Sequence, residues 1–293
     1  MNKSMMLIIN PKSGKGLSNT ALGTIVSSLC EVDYAVTVYF SHEKYPEELA
    51  FEYAEWYDLI VCVGGDGTLS NVISGLMQAK SNIPVGYIPA GTSNDVATTL
   101  ALPRDPLIAA RKILSGTPTA LDIGLFKDRY FTYIAAFGAF TGVAYTTPQS
   151  AKRSLGHLAY VFGGLADMAT IAPRRTVVQY DDKVIEGEFI FGGVVNSTSV
   201  AGLVKLNPEL VDLADGEFEV ILVRQPVVLT DFMEILTSLV MQTYEGDNFL
   251  MLHASSVSFT FDEEVAWTVD GEDGGLHKNV EIKNCHKAIK IVL

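Results

Sequence analysis

Two acids stand inside turns rich in glycine and hydroxyl groups. Asp66 lies in Gly64-Gly65-Asp66-Gly67-Thr68, and Asp95 closes Pro89-Ala90-Gly91-Thr92-Ser93-Asn94-Asp95. A glycine-rich passage from strand to helix lets backbone N–H groups approach an anion that also meets the positive end of the helix. A carboxylate beside a phosphate implies a cation or a donor between them, so Asp66 and Asp95 on neighbouring strand ends could hold Mg2+ around a triphosphate. Taken alone, Asp95 reads equally well as a helix N-cap, with Asn94 shaping the turn, and Thr68 likewise as a cap. The loop Asn10-Pro11-Lys12-Ser13-Gly14-Lys15-Gly16 lacks the G-x-x-x-x-G-K-[ST] spacing and is therefore no P-loop. It is either an ordinary turn into a helix or a second wall of the same phosphate site.

Other acids cluster late in the chain. Trp267-Thr268-Val269-Asp270-Gly271-Glu272 places two carboxylates directly after an apolar strand. A carboxylate held in a cleft with a raised pKa suits a general base for a hydroxyl nucleophile. A plain β-turn built on Asp-Gly is equally consistent. Asp212-Leu213-Ala214-Asp215-Gly216-Glu217 reads by itself as a solvated turn. His42, His157, His253, His277 and His286 show no paired-ligand spacing, and neither a G-x-S-x-G elbow nor a Cys–His signature is present. Cys30, Cys62 and Cys285 are too scattered for a disulfide framework or a zinc site.

The elements that must position these residues follow from periodicity. Leu7 to Ile9, Val36 to Phe40, Asp58 to Val63 and Ile83 to Ile88 read as strands. Helices follow each of them; Leu69, Val72, Ile73, Leu76 and Met77 share one face of the helix after Gly67. Alternation of this kind predicts a doubly wound parallel sheet with helices on both faces, whose ligands bind outside the strand carboxyl ends. The loops beginning at Asn10, Gly64 and Gly91 all fall there.

After about Asp122 the pattern changes. Tyr130–Phe137, Thr176–Tyr180, Val184–Val195, Glu217–Val223, Val257–Phe261 and Val265–Val269 read as strands, with helices near Leu158–Ile171 and Leu229–Met241. This predicts a mostly antiparallel β-sandwich over 123–293, following an α/β domain over 1–122.

The formal charge of −13 over 293 residues argues against a nucleic-acid partner, since phosphate backbones demand clustered Lys and Arg. The local basic spots Lys152-Arg153 and Arg174-Arg175 could touch anionic lipid or phosphate, or simply be scattered surface charge. No apolar run reaches transmembrane length, and the amino-terminal apolar stretch is too short for a signal peptide. These features predict a reduced, cytoplasmic protein.

Together these segments resemble the diacylglycerol kinase catalytic-domain family, in particular the soluble bacterial lipid kinases and their sphingosine and ceramide kinase relatives. The resemblance rests on Asn10-Pro11-Lys12-Ser13-Gly14, Gly64 to Thr68, Pro89 to Asp95, Asp215-Gly216 and Asp270-Gly271-Glu272, in that order across nearly the whole chain. It implies an ATP-binding α/β domain followed by a β-sandwich, with the active site in the interdomain cleft. By resemblance, Asn10, Pro11, Lys12, Ser13 and Gly14 would surround the phosphates together with the segment Gly65 to Asn71. Thr92 would contact the nucleotide alongside Gly91 and Asn94, and Ser41 looks like the family's hydroxyl-bearing position after the second strand. Asp66 and Asp95 would organise catalytic Mg2+ through water. A structural Mg2+ would use the Asp215 carboxylate with backbone carbonyls near Asp212 and Glu217. Glu272 looks like the family's base, and Asp270 its near neighbour. The chain departs from the family's Leu-Asn-Glu with Leu69-Ser70-Asn71, and from its usual acid with Gly138-Ala139-Phe140.

The resemblance implies phosphoryl transfer from ATP to a lipid hydroxyl, with diacylglycerol, converted to phosphatidic acid, as the default acceptor. Such an enzyme would visit the inner membrane face transiently, with Lys152 to Ile171 as either an interfacial element or a buried amphipathic helix. The rivals are a kinase of a soluble metabolite, of the NAD kinase or phosphofructokinase type, and a nucleotide-binding regulator without catalysis. A homodimer stays open.

Overall fold

The computed structural model describes residues 3–13, 19–31, 34–41, 45–138, 172–200, 204–207, 211–241, 243–244 and 246–293. Gly14, His42, Ala139, Phe140, Lys152, Arg153, His157 and the segment 152–171 lie outside the described residues. The chain divides into two compact units, 1–123 together with 286–293, and 124–285. The last eight residues thus return to the first unit, a crossing that the sequence division at 122/123 does not contain.

In the first unit, β1 (Lys3–Ile9), β2 (Tyr34–Phe40), β3 (Leu59–Gly64) and β4 (Val85–Pro89) form a parallel sheet in the order β2-β1-β3-β4. The helices are α1 (Asn19–Cys30), α2 (Pro46–Tyr53), α3 (Asp66–Ala79), α4 (Asp95–Thr99) and α5 (Pro106–Ser115). β1 and β3 are buried along nearly their whole length, as strands covered on both faces must be. One face, carrying Met5, Leu7, Ile9, Leu59, Val61 and Val63, packs on Ile25 and Leu29 of α1 and on Ala109, Ala110 and Ile113 of α5. α2 and α3 pack on each other, burying Leu49, Ala50, Val72, Ile73 and Leu76. Cys62 is buried in β3, and burial pushes its thiol above the ordinary range. Strand order reverses between β1 and β3, so the loops after these two strands open on the topological switch point.

β5 (Pro118–Phe126) carries the chain towards the second unit, and β15 (Glu272–Val292) brings it back. Ile291 of β15 pairs in parallel with Val85 of β4, extending the first sheet. Asp122 of β5, with its carboxylate fully buried, accepts from Lys287 N at 2.7 Å and meets His286 Nδ1 at 3.1 Å, which anchors this return.

The second unit contains β6 (Arg129–Phe131), β7 (Ile134–Gly138), β8 (Arg174–Tyr180), β9 (Lys183–Val195), the short β10 (Ser199–Val200) and β11 (Val204–Lys205), β12 (Phe218–Arg224), α6 (Leu229–Met241), β13 (Phe249–Ala254) and β14 (Ser256–Val269). Its main ladder is antiparallel in the order β13-β12-β9-β7-β14-β15. β8 fills the same lane as β7, end to end, since both pair with β9 and with β14. β7 leaves opposite Phe191 and β8 enters opposite Phe189. The ladder curls over: Asn284 Nδ2 of β15 donates to the carbonyl of Glu217, beside β12, at 3.2 Å. Alternating residues therefore feed two cores. Ala135, Phe137, Val220 and Phe259 point into an aromatic-rich interior with Trp267, while Ile134, Ala136, Ile221 and Val223 meet Ile235 and Leu239 of α6 on the other face. Val257–Phe261 and Val265–Val269 are not two strands but one, interrupted by a register shift around Asp262–Glu264. The segment Tyr130–Phe137 is in turn split between β6 and β7.

Candidate active site

Three loops of the first unit, after β1, β3 and β4, interlock. Asn10 Nδ2 donates to Thr68 Oγ1 at 3.0 Å, and the Ser13 hydroxyl lies 3.5 Å from that same oxygen. Asn10 Oδ1 accepts from Lys12 N at 3.0 Å, which folds the first loop back over its own strand end. The loops after β3 and β4 touch through bare backbone. A Cβ built on Gly91 would stand 2.5 Å from Gly65 Cα, so the third loop tolerates no side chain there, and one on Gly65 would be tight at 3.2 Å from Gly91 Cα. Thr68 is buried and acts as a tie between loops, a more specific role than the cap read from its position.

Asp66 joins the second loop to the third. Its carboxylate accepts from Asp95 N at 2.9 Å and from Val96 N at 3.2 Å. Those amides open α4, whose own N-cap residue Asn94 is left-handed (φ 54°) and makes no side-chain cap. The Asn94 amide is instead spent on Gly91, accepting from its N–H at 2.9 Å and donating to its carbonyl at 3.0 Å. Asp66 thus caps a helix that its own chain segment does not belong to. Asp95 is partly buried; burial first, and then the Asp66 charge, raise its carboxyl to about 6 against the opposing pull of Arg104. Such a site is short of positive charge.

Tyr87 was not singled out by the sequence reading, because a tyrosine in an apolar strand carries no signal of its own. Its hydroxyl sits beneath this pair, 3.5 Å from Asp66 Oδ1 and 3.4 Å from Asn94 Oδ1. Burial and the Asp66 charge push the phenol above its ordinary range. Asn71 on α3 is half-buried, Thr92, Pro11 and Lys12 are exposed, and half-buried Ser41 donates its backbone N–H to Ile9 O at 3.0 Å.

The second unit presents the late acids on a hairpin. Asp270 (φ 49°) and Gly271 (φ 81°) form a two-residue turn between Val269 and Glu272, with both central residues left-handed. The buried Asp270 carboxylate accepts from Thr132 N (2.7 Å), Thr132 Oγ1 (2.8 Å), Tyr133 N (3.0 Å) and Ile134 N (3.1 Å). It ties the hairpin to the turn between β6 and β7. Glu272 is exposed rather than enclosed within this unit, and its Oε2 pairs with Arg129 at 2.6 Å.

Asp212, Asp215 and Glu217 are exposed, on a loop where Asp212 Oδ1 accepts from Ala214 N and Asp215 Oδ1 from Glu217 N. Next to them Glu219, missed by the sequence reading because it falls inside an apolar strand, has a buried carboxyl. Burial, then the charges of Asp215, Asp212 and Glu217, raise it to about 8, against the pull of its own backbone N–H. Among the described residues, no three His, Cys, Asp or Glu side chains form a ready-made metal cage. Among them, too, no helix is long and apolar enough to cross a membrane.

The chain matches the diacylglycerol kinase catalytic domain over residues 4–126 and the YegS C-terminal NAD kinase beta sandwich-like domain over residues 137–292. It is 33% identical to a diacylglycerol kinase of Staphylococcus saprophyticus, covering 94% of this chain and 90% of the relative. Identity to a diacylglycerol kinase of Bacillus subtilis is 29%, covering 99% and 96%. A diacylglycerol kinase structure from Bacillus anthracis superposes with a TM-score of 0.81 at 23% identity, over 99% of this chain and 96% of that one, and is similar in fold.

Proposed function

This chain belongs to the diacylglycerol kinase family and is an ATP-dependent lipid kinase, and we infer from that membership that its acceptor is diacylglycerol and its product phosphatidic acid. The observation that carries the residue assignments is the meeting of three loops around Asp66 and Asp95 at the strand carboxyl ends. Phosphoryl transfer asks mainly for positioning and for neutralisation of charge on the transferring group.

In this reading the amides opening α3, from Gly65 to Gly67, receive the triphosphate, with the Asn10–Ser13 loop as a second wall and Thr92 against the nucleotide. Two neighbouring carboxylates, of which Asp95 is raised by burial and by the Asp66 charge, suit a hard cation completed by phosphate oxygens and water, so Asp66 and Asp95 would hold Mg2+. When bound, that ion supplies charge neutralisation on the phosphates. The negative charges of Asp212, Asp215 and Glu217 likewise fit a structural cation, taken by the Asp215 carboxylate and neighbouring backbone carbonyls. Glu272 is the general base: it takes the proton of the acceptor hydroxyl as that oxygen attacks the γ-phosphorus and ADP leaves. Because the acceptor is a lipid, the enzyme works at a membrane surface.

The test is labelled ATP with mixed micelles of several lipids, with chromatography of the product. Labelled phosphatidic acid is expected, and Glu272→Gln should lower turnover by about 10²–10⁴-fold. A different phosphorylated lipid would overturn the acceptor, and a Glu272→Gln enzyme that keeps most of its turnover would overturn the base.

A further inference from the structure

We propose that Arg129 is a positioning residue for the base, fixing the orientation of the Glu272 carboxylate for proton transfer. The inference rests on the assignment of Glu272 as that base. The guanidinium is forked: one nitrogen donates to Glu272 Oε2 at 2.6 Å, the other to the backbone carbonyl of Asp273 at 2.9 Å. The second bond ties the arginine to the same strand that carries the glutamate, so the ion pair fixes a direction as well as a distance.

The surroundings complete a two-point mount. Thr132, Tyr133 and Ile134 give their amides to Asp270 on one side of the hairpin turn, and Ile134 O accepts from Asp270 N at 2.8 Å. Arg129, three residues before Thr132, grips Glu272 and Asp273 on the other side. One short segment therefore fixes the backbone of Glu272 through Asp270, and its carboxylate through Arg129. The ion pair uses Oε2, which leaves Oε1 to accept the hydroxyl proton of the acceptor. The pair is 37% and 57% exposed at its two side chains, and exposed pairs add little to stability. Stability alone therefore gives no reason for this geometry.

The experiment measures kcat and the KM values for ATP and lipid in Arg129→Ala, Arg129→Lys, Glu272→Gln and the double variant Arg129→Ala with Glu272→Gln, with thermal melts as a folding control. Arg129→Ala should lose about 10–100-fold in kcat with the KM for ATP unchanged, as misplacement of a reacting group does. Arg129→Lys, which keeps the charge but loses the fork, should fall between the wild type and Arg129→Ala. Added guanidinium ion should restore part of the Arg129→Ala activity, which a loss of packing would not allow. On the Glu272→Gln background, Arg129→Ala should add less than about twofold, because the two act as a unit. If Glu272→Gln is inactive while Arg129→Ala stays within twofold of wild type, is not rescued, or multiplies with Glu272→Gln, the positioning role falls and the base stands. If Glu272→Gln keeps most of its turnover, the base assignment falls and takes the role of Arg129 with it.

Discussion

Asp66 and Asp270 both occupy glycine-containing turns at strand ends, and both spend their carboxylates on backbone amides of a distant segment. They do so to different degrees. Asp270 is buried and accepts four hydrogen bonds, three of them from consecutive amides. Asp66 is half-buried, takes the amides of Asp95 and Val96 with the Tyr87 hydroxyl 3.5 Å away, and faces a second acid whose proton affinity it raises. Asp270 is a buried tie within its unit, whereas Asp66 ties two loops beside a like charge. The same Asp-Gly pairing in sequence thus ties a hairpin in one unit and, on the function proposed above, serves a cation in the other.

The comparison breaks most sharply by alanine substitution. Asp270→Ala strands three buried amides and should cost about 3–5 kcal/mol of unfolding free energy, read from urea titration. Asp66→Ala should cost about 1–2 kcal/mol by the same measure, the worth of a helix cap, yet lower kcat by about 10²–10³-fold. If the two variants swap these signatures, the division of labour drawn here is wrong.

The acid limb of the rate sharpens the picture of the first unit. In the proposed role Asp95 must be ionised to attract a cation, and burial and the Asp66 charge raise its carboxyl to about 6. Activity should therefore fall as pH drops through about 6, by about tenfold per unit below it. Asp66→Asn removes the like charge and should move that limb to lower pH, measurable in whatever activity remains.

The last expected effect, on stability alone, lies at Glu219. Its folded-state value of about 8 stands above the ordinary 4.5, so the folded chain holds a proton that the unfolded chain has lost between those values. Stability should thus decline as pH rises from 4.5 through 8. Glu219→Gln removes that dependence and should gain roughly 2–4 kcal/mol at pH 8 relative to wild type. Melting curves against pH that stay parallel for the two proteins would show that burial and the neighbouring acids do not hold the Glu219 carboxyl neutral.

Much of the α/β unit was legible because its signals are local. Apolar runs such as Leu59–Val63, followed by a glycine-rich turn and a helical stripe, report a buried parallel strand and its ligand end within a score of residues. The Asp270-Gly271 hairpin turn was legible for the same reason. β15 was not: Gly274, Gly275 and a run of half-exposed polar residues hide its alternation, and its pairing with β4 is set by no local feature. The long-range partnerships within each unit were equally hidden. Asp66 with Val96, Asn10 with Thr68, and Arg129 with Glu272 lie 30, 58 and 143 residues apart. The residue types and turn chemistry, and through them the kind of reaction, follow from the sequence alone, because glycine, hydroxyl and carboxylate act over a few neighbouring residues. That Asp270 became a buried tie, that Asp66 came to cap the helix opened by Asp95, and that Glu272 acquired an arginine were decided only by the tertiary structure, because hydrogen bonding and desolvation depend on what the fold brings alongside.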